Sequence, residues 1–293
     1  MFKEGIMMGL VAETPLHPGT GSTTGVVDLP VQRDVHTGFP IIQASGLKGA
    51  MREVAEGKLG ENSEPVNIVF GPKASEHAGA ISITDARLLA FPVRSLSEVY
   101  VWVTCPMVLG RLKRDMALIT LLNNDLHDIT ANKDTAYISD GSDLKDKIIL
   151  EEFCMTIDNT KTADIKKWLD EIIKLMPSAD THNSVKEKMK KHLVVISDED
   201  FAHLVKTATQ VSARIVLKEN KTSENLWYEE SLPPDTLFYS VIFAMDSRKD
   251  KAGMKADEII KTIKDTVCEY IQVGGNETVG MGWCSLQYYG GGR

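Results

Sequence analysis

The sequence predicts an α+β fold, in which helices cover one face of a β-sheet. The predicted elements follow the order strand, helix, strand, strand, helix, strand, with longer segments inserted between them. The chain has 293 residues, of which 43% are hydrophobic and 25% are charged. This ordinary composition excludes a globally disordered chain and supports a full hydrophobic core.

The first part of the chain predicts one strand, a long loop and a helix. Residues 5–13 are an apolar run typical of a buried strand. Residues 14–42 are rich in proline and glycine and lack a helical period, yet they carry apolar anchors such as Phe39. A long loop of this kind inside a compact domain is usually functional, so we expect it to be ordered. A helix is predicted from Ser45 to about residue 58.

The middle of the chain predicts strands, helices and a charged segment. Strands are predicted over 80–91 and 98–104, and Pro106 favours the first turn of the next helix. Residues 140–200 carry 10 lysines and 14 acidic residues, a net charge of −4. A helix is predicted near 161–175 within this segment.

The last part predicts a projecting hairpin, a strand, a helix and a final strand. Residues 209–231 form two β-favouring arms on either side of a polar tip at 220–225. Leu237–Ala244 is predicted as a strand, and apolar residues from 259 to 271 line a helix. A glycine-rich turn over 274–282 then joins that helix to the last strand.

Charge and composition limit the classes of protein. The chain has 33 basic and 41 acidic residues, a formal net charge of −8. This charge argues against a protein that coats nucleic acid with its whole surface, but it allows a local basic track. The four separate cysteines contain no C-x-x-C pair, which argues against a zinc site or a disulfide framework. With no signal-type or membrane-spanning apolar run, we expect a cytoplasmic protein without membrane contact.

Acidic residues and one histidine are candidates for chemistry. Asp28 stands between apolar anchors of the long loop, and its carboxylate could orient a ribose hydroxyl, hold a divalent cation or act as a base. It could equally hydrogen-bond its own turn. His17, before Pro18, has a similar alternative. Glu229 and Glu230, at the foot of the hairpin, are expected to be solvated.

Two further features are candidates for binding phosphate. Lys48 and Arg52 lie one helical turn apart, about 5–6 Å, although Arg52 could instead pair with Glu56. The turn over 274–282 could cradle phosphate with its main-chain N–H groups, or could be only a tight connection. It does not fit a dinucleotide-binding loop, which leads from a strand into a helix. The chain has no motif of serine hydrolases, zincins or P-loop NTPases.

Three segments together resemble the RAMP superfamily of CRISPR effector proteins. They are TPLHPGTG (14–21), GVVDLPVQRDVHTGFPIIQASGLKGAMR (25–52) and GGNETVGMGW (274–283). The stretch GVVDLPVQR is similar to the backbone subunit of type III-B (Cmr) RNA-silencing complexes, and so is LWYEESLPPDTLFYS (226–240). The glycine turn alone would indicate only the superfamily, whereas the loop around Asp28 makes the resemblance narrow.

The resemblance implies a single RAMP domain over residues 1–293. Its palm would be ferredoxin-like (RRM-like), with a long palm loop, and would span about 1–135 and 232–293. An inserted helical lobe is expected over about 136–208, and a protruding thumb hairpin over about 209–231.

The resemblance also implies the function of an RNA-guided endoribonuclease. Copies of such a subunit stack head to tail along a CRISPR guide RNA, together with other Cmr subunits. The target is a single-stranded RNA that pairs with the guide. Each thumb kinks the duplex of guide and target, and the target strand is cut beside each kink. The expected chemistry is attack of a ribose 2′-hydroxyl on the adjacent phosphorus, which leaves a 2′,3′-cyclic phosphate. A divalent metal ion, Mg²⁺ or Mn²⁺, is the implied cofactor.

Residue roles follow from the resemblance position by position. Asp28 matches the catalytic aspartate and would be the residue that holds the metal. His17 and one glutamate of the pair Glu229 and Glu230 match residues proposed to assist catalysis. The implied contacts to guide RNA are Thr20, Ser45, Gly46, Lys48, Arg52, Gly274, Gly275 and Asn276.

Two alternatives remain open within this superfamily. The chain could be a guide-binding scaffold without catalysis, since the same RNA contacts serve both functions. It could also be a guide-processing endoribonuclease, although such enzymes often use histidine and the glycine turn has no histidine beside it in the sequence. A dinucleotide-dependent enzyme is disfavoured by the order of elements around the turn.

Overall fold

A computed structural model describes residues 2–73, 77–248 and 253–291 of the chain. Its strands are β1 (Glu4–Ala12), β2 (Ile41–Ile42), β3 (Ile81–Ile83), β4 (Ala86–Ser95), β5 (Val99–Thr104), β6 (Thr135–Ile138), β7 (Lys147–Leu150), β8 (Phe153–Asp158), β9 (Leu193–Val195), β10 (Gln210–Leu217), β11 (Ser223–Ser231), β12 (Leu237–Ala244), β13 (Tyr270–Gln272) and β14 (Trp283–Tyr289). Its α-helices are α1 (Ala44–Leu59), α2 (Glu64–Phe70), α3 (Pro106–Leu118), α4 (Thr162–Ile173), α5 (Asn183–His192), α6 (Asp198–Thr207) and α7 (Ala256–Thr266).

One large sheet forms the centre of the molecule. Ten strands follow the order β13-β14-β1-β12-β4-β5-β9-β6-β8-β7, with β2 paired to β4 and β3 paired to β12. The first strand lies between its two neighbours in antiparallel register, with Met7 opposite Val241 on one side and Tyr289 on the other. The predicted α+β class is confirmed.

Helices cover both faces of this sheet, so the expectation of helices on one face is wrong. A Cβ atom on Gly9 would meet Leu175, after α4. The side chain of Ile6 lies instead beside Ile260 of α7, where both approach Gly291. Because neighbouring strand residues point to opposite faces, these contacts belong to two layers. A strand buried on both faces reads as a continuous apolar run, as β1 does.

The segment over 136–208 was expected to be a helical lobe, but it contains strands as well as helices. Strand β9 pairs in parallel with β5, and β6 pairs with β9, so this segment extends the central sheet. Its strands are only three to six residues long and stand among charged side chains. Their short apolar runs therefore carry little periodic signal.

The hairpin is confirmed as two antiparallel arms, β10 and β11, which form a separate two-stranded sheet. The turn between them spans 218–222, so the second arm begins earlier than predicted. The outer half of β11 is exposed, whereas Glu230 and its neighbours at the base of the hairpin are buried.

The glycine turn connects two strands rather than a helix and a strand. Helix α7 ends at Thr266, and Ile271, predicted within it, lies in β13. This strand pairs with β14 in antiparallel register. No helix in the described part of the chain is both long and apolar enough to cross a membrane.

Candidate functional site

The long loop after β1 is held across the base of the hairpin. Leu29 N–H donates to the carbonyl of Tyr228 at 3.0 Å, and Glu230 N–H donates to the carbonyl of Leu29 at 3.0 Å. Leu16 and Leu232 exchange two further backbone hydrogen bonds, of 3.0 and 2.8 Å. The expectation of an ordered loop is confirmed, because its backbone groups are satisfied by a distant part of the chain.

Asp28 lies at this joint between the loop and the hairpin. Its Oδ2 atom accepts a hydrogen bond of 2.7 Å from the backbone N–H of Tyr228. The side chain therefore binds the hairpin and not its own turn. Among the described residues, nothing donates a hydrogen bond to Oδ1. A half-buried carboxylate is thus fixed through one oxygen and left open at the other.

Glu229 and Glu230 are buried, so the expectation that they are solvated is wrong. They are only 4% and 5% exposed. Glu230 accepts a hydrogen bond of 3.0 Å from Val31 N–H and pairs with Arg33. Glu229 lies 3.4 Å from the guanidinium of Arg214. Buried carboxylates need such partners; those of Glu230 join the hairpin to the loop, whereas the pair of Glu229 with Arg214 links the two arms of the hairpin.

The pair between Glu230 and Arg33 leads to a stability prediction. Replacing Glu230 by alanine leaves Val31 N–H and a mostly buried Arg33 guanidinium, 21% exposed, without their carboxylate. We expect the free energy of unfolding to fall by about 3 kcal/mol, measured by urea denaturation. Glu224→Ala, at an exposed position of the same strand, is the control. A loss below about 1 kcal/mol for the Glu230 variant would contradict this role.

His17 lies buried beneath the glycine turn. Its Nδ1 atom is 2.6 Å from the carbonyl oxygen of Glu230. A carbonyl only accepts hydrogen bonds, so Nδ1 carries the proton, and a neutral ring then has its lone pair on Nε2. A Cβ atom on Gly19 would come within 2.7 Å of Nε2. Gly275 N–H donates to the backbone carbonyl of His17 at 2.9 Å, so the turn does have a histidine beside it in space.

The glycine turn needs its glycine where it crosses His17. Gly274 has φ +86°, and a Cβ atom there would lie 2.4 Å from the carbonyl oxygen of His17. Only glycine allows this close approach at that φ value. Asn276 follows with φ 65° and donates its side-chain amide to Glu229. One donor of the Asn276 amide is therefore used within the protein, and the contact of Asn276 with guide RNA stays a prediction.

The start of helix α1 stands opposite the glycine turn. The helix begins at Ala44, one residue before the predicted start, and Ala44 N–H donates to Asp85 at 2.8 Å. Ser45 and Gly46 are exposed in the first turn. Free N–H groups and the helix dipole favour anions at such an end.

Lys48 and Arg52 both have partners inside the fold. Burial and the nearby Arg52 lower the pKa of Lys48, whose Nζ lies 3.3 Å from the carbonyl of Ile81. Arg52 forms an ion pair of 2.9 Å with Glu56 and donates to the carbonyl of Gly71 at 2.7 Å. Arg52 therefore forms the ion pair with Glu56 that was the alternative to RNA binding, and its contact with RNA stays a prediction.

An open groove of about 700 Å³ brings the candidate segments together. Its walls come from the long loop, from α1 and from the glycine turn. Thr20 is exposed on the loop, outside the lining, and Leu29 connects the groove to Asp28. The lining residues are His17, Pro18, Gly19, Gly21, Leu29, Gln32, Ile42, Gln43, Gly46, Val273, Gly274 and Gly275. None of them is an acidic residue, a lysine or an arginine, so the groove is lined by uncharged and largely apolar groups.

Comparison with known proteins places the chain in a family. The sequence model of the RAMP superfamily matches residues 10–285. The CRISPR system Cmr endoribonuclease Cmr4 of Pyrococcus furiosus is 42% identical over 288 residues, which cover 96% of this chain and 94% of the relative. The chain belongs to the Cmr4 family of the RAMP superfamily.

Solved structures of Cmr4 proteins have the same fold over their whole length. The crystal structure of oligomeric Cmr4 from Pyrococcus furiosus is 34% identical with a TM-score of 0.76, and the match covers 99% of both chains. A chain in the cryo-EM structure of the type III-B Cmr-beta complex bound to cognate target RNA is 25% identical with a TM-score of 0.73, covering 98% of both chains. The Cmr4 family therefore accounts for the fold over nearly the whole chain.

Proposed function

We propose that this protein is an RNA-guided endoribonuclease and the repeating backbone subunit of a type III-B (Cmr) complex. The observation that carries the proposal is the Asp28 carboxylate, fixed by Tyr228 N–H with one oxygen open beside the groove. Family membership adds support, because a relative at 42% identity is named an endoribonuclease. The similar chain in the complex bound to target RNA supports RNA and other subunits as partners. The oligomeric relative supports contacts between copies.

A ferredoxin-like palm is the finer fold that we propose. Its support is the order β14-β1-β12-β4 in the sheet, with α1 after β1 and α7 after β12. This is the arrangement of a βαββαβ unit, in which the two helices lie between strands of the unit. The boundaries of palm, lobe and thumb proposed from the sequence are kept.

We propose that the hairpin of β10 and β11 is the thumb. An isolated two-stranded ribbon is marginally stable in water, yet this ribbon exposes large apolar side chains. They include Val211, Ile215, Leu226 and Tyr228, each 43–53% exposed. Exposed apolar surface marks interaction sites. It fits a hairpin that would pack against bases of a guide–target duplex.

In the proposed reaction, a ribose 2′-hydroxyl attacks the adjacent phosphorus while the bond from phosphorus to the 5′-oxygen breaks. The 5′-oxygen gains a proton, and the products are a 2′,3′-cyclic phosphate and a 5′-hydroxyl. Asp28 Oδ1 would orient the attacking hydroxyl and accept its proton. Because a free aspartate near pKa 3.9 is a weak base at neutral pH, most of its contribution would be orientation. His17 and Glu230 would position the glycine turn and the loop.

A divalent cation fits this site only if RNA supplies some of the oxygen atoms that coordinate it. The described residues contain no group of three or more His, Cys, Asp or Glu side chains that could hold a metal. Mg²⁺ commonly binds through one or two carboxylates together with substrate phosphates and water, so Asp28 would be its one protein ligand. When bound, the cation would neutralise charge on the phosphate.

Removing the metal is expected to stop cutting without releasing the guide RNA. A cation bound by Asp28 and RNA phosphates would act at the reacting phosphate only, whereas guide RNA would be held by the uncharged groups that line the groove. The check is cleavage of labelled target by the assembled complex in EDTA, followed by restoration with Mg²⁺ or Mn²⁺. Filter binding of guide RNA in EDTA is the control. Full cutting in EDTA would exclude a required metal.

The proposed function is tested by assembling this chain with its partner subunits and a guide RNA of defined sequence. We expect cuts in complementary target RNA at regular intervals, with no cuts in RNA lacking complementarity. A complex that binds target but never cuts it would indicate a scaffold.

Guide processing is a second candidate, favoured by His17 beneath the glycine turn. It predicts that the chain alone cuts a precursor guide RNA without any target. Incubating the purified chain with such a precursor separates the two functions.

A further inference from the structure

A second pocket lies at the far end of the long loop, between helix α3 and strands β4 and β12. It is partly open to solvent, and about 490 Å³ of space, solvent included, lies among its lining residues. Three arginines line it, Arg87, Arg111 and Arg114, together with apolar side chains. We propose that this pocket binds a nucleotide, with its phosphate on the arginines and its base against the exposed Met107 at the rim.

The charges of the pocket are unbalanced. Asp115, 4% exposed, accepts from Arg87 and from the hydroxyl of Tyr239, both at 2.9 Å, and its same oxygen lies 3.5 Å from Arg111. One carboxylate oxygen therefore faces two guanidinium groups and a phenol. It holds Arg87 in place and leaves most donors of Arg111 unused, with the side chain 42% exposed.

The other charged groups around the pocket do not restore the balance. Arg114 is exposed and has no ion pair or hydrogen bond among the described residues. Asp34 lines the pocket, but its carboxylate lies 2.9 Å from His36, which is itself largely exposed. The pocket therefore has more guanidinium groups than carboxylates. Guanidinium groups bind phosphate in a planar, bidentate manner, so an anion with phosphate geometry fits best.

The rim of the pocket favours a nucleotide over inorganic phosphate or an acidic peptide. Phe39 and Leu88 lie beneath the pocket but are only 8% and 3% exposed, whereas Met107 stands at the rim with 46% exposure. An exposed apolar side chain next to phosphate-binding donors suits an unstacked base, which stacks on aromatic or apolar side chains. Neither inorganic phosphate nor an aspartate or glutamate side chain would cover this surface.

The position of the pocket links it to the proposed function, on which its connection to RNA rests. Asp34 follows Asp28 by six residues, so their Cα atoms are at most about 22 Å apart. A strand bound at Asp28 would therefore have to span at most about 22 Å to place another of its nucleotides beside Asp34 in the pocket. The same chemistry also suits a free mononucleotide, and the two sources are separated by experiment.

The test is photo-crosslinking with two probes, 8-azido-AMP and single-stranded RNA that carries 8-azidoadenosine. The full chain and its complex with guide RNA are both irradiated, and labelled peptides are identified by mass spectrometry. We expect labels in the segments 34–41 and 107–114. The double variant Arg111→Ala/Arg114→Ala should bind the labelling probe at least about tenfold more weakly. Arg114→Ala, which breaks no contact of the fold, should show a smaller loss, and Arg94→Ala at an exposed ion pair with Glu151 is the control.

Each outcome decides the proposal. Labelling by both probes with competition by unmodified AMP supports a free-nucleotide site, and labelling by RNA alone supports a site for a nucleotide within a strand. Competition by poly-glutamate but not by AMP or RNA overturns it in favour of an acidic protein segment. If the crosslinks are found only in residues of the groove beside α1, the proposed nucleotide pocket is refuted and the proposed function is not. Labelling of the pocket by AMP in a chain that neither binds nor cuts RNA would refute the proposed function alone.

Discussion

Replacing Asp28 by asparagine is expected to slow cutting of target RNA by about 10²–10⁴-fold while guide binding and assembly are retained. Asparagine has the same shape, and its side-chain oxygen can still accept the hydrogen bond from Tyr228 N–H that holds the aspartate at 2.7 Å. The joint between loop and hairpin is thereby preserved. What is lost is the negative charge at Oδ1, which orients the hydroxyl, accepts its proton and attracts a cation. Single-turnover cleavage of end-labelled target by the assembled complex measures the effect.

The matched control is Asp265→Asn, which removes an exposed carboxylate from helix α7, outside the groove. It should cut at the rate of the unaltered protein. Size-exclusion chromatography and guide-RNA binding of both variants show whether assembly is intact. A cutting rate for Asp28→Asn equal to that of the control would remove Asp28 from the mechanism.

Local sequence patterns were enough to predict most elements that position the site. Strand β1, helix α1 and the two arms of the hairpin each have a regular apolar or polar pattern over seven or more residues, and all were found near their predicted bounds. Strand β12 was predicted as Leu237–Ala244 and has these bounds. The hydrophobic periodicity of these elements is set by residues close together in the sequence, so a short window of sequence is enough to predict them.

The burial of Glu229 and Glu230 could not be predicted from local pattern. Two adjacent glutamates after a β-favouring arm are typical of a solvated strand end. The partners of Glu230, Arg33 and Val31, lie about two hundred residues away in the sequence, and Glu229 faces Arg214 of the other arm and Asn276 of the glycine turn. A buried carboxylate is stable only with such partners, and no local signal reveals them. The one available hint was the resemblance, which matched a glutamate of this pair to an assisting residue.

The contact of His17 with the glycine turn is another non-local feature. The turn contains no histidine of its own, and His17 comes from the opposite end of the chain. The sheet brings them together, because β1 and β14 pair in antiparallel register, with Ala12 opposite Cys284. Segments that follow one strand and precede the other must therefore meet at the same edge of the sheet.

The acidic net charge of −8 is compatible with an RNA-binding function because the candidate groove uses little positive charge. Backbone N–H groups at a glycine turn and at the start of a helix can hold phosphate without a lysine or arginine. Lys48 and Arg52 stand behind that surface, engaged with Ile81 and Glu56. We infer that binding depends on a strand following the groove and that RNA is not attracted to the surface as a whole.

A single 2′-deoxy substitution at the nucleotide on the 5′ side of a cut is expected to abolish that cut and leave the others. The proposed reaction has no attacking atom once this hydroxyl is missing, since the nucleophile belongs to the RNA and not to water. The check is denaturing electrophoresis of targets with one deoxynucleotide moved along the sequence. A deoxynucleotide placed two positions from the cut is the control and should leave the cut unchanged. Unimpaired cutting beside the substituted nucleotide, with a product that ends in a simple 3′-hydroxyl or 3′-phosphate, would show that water attacks. The role of Asp28 Oδ1 would then be to orient that water, while its anchoring by Tyr228 N–H would be the same.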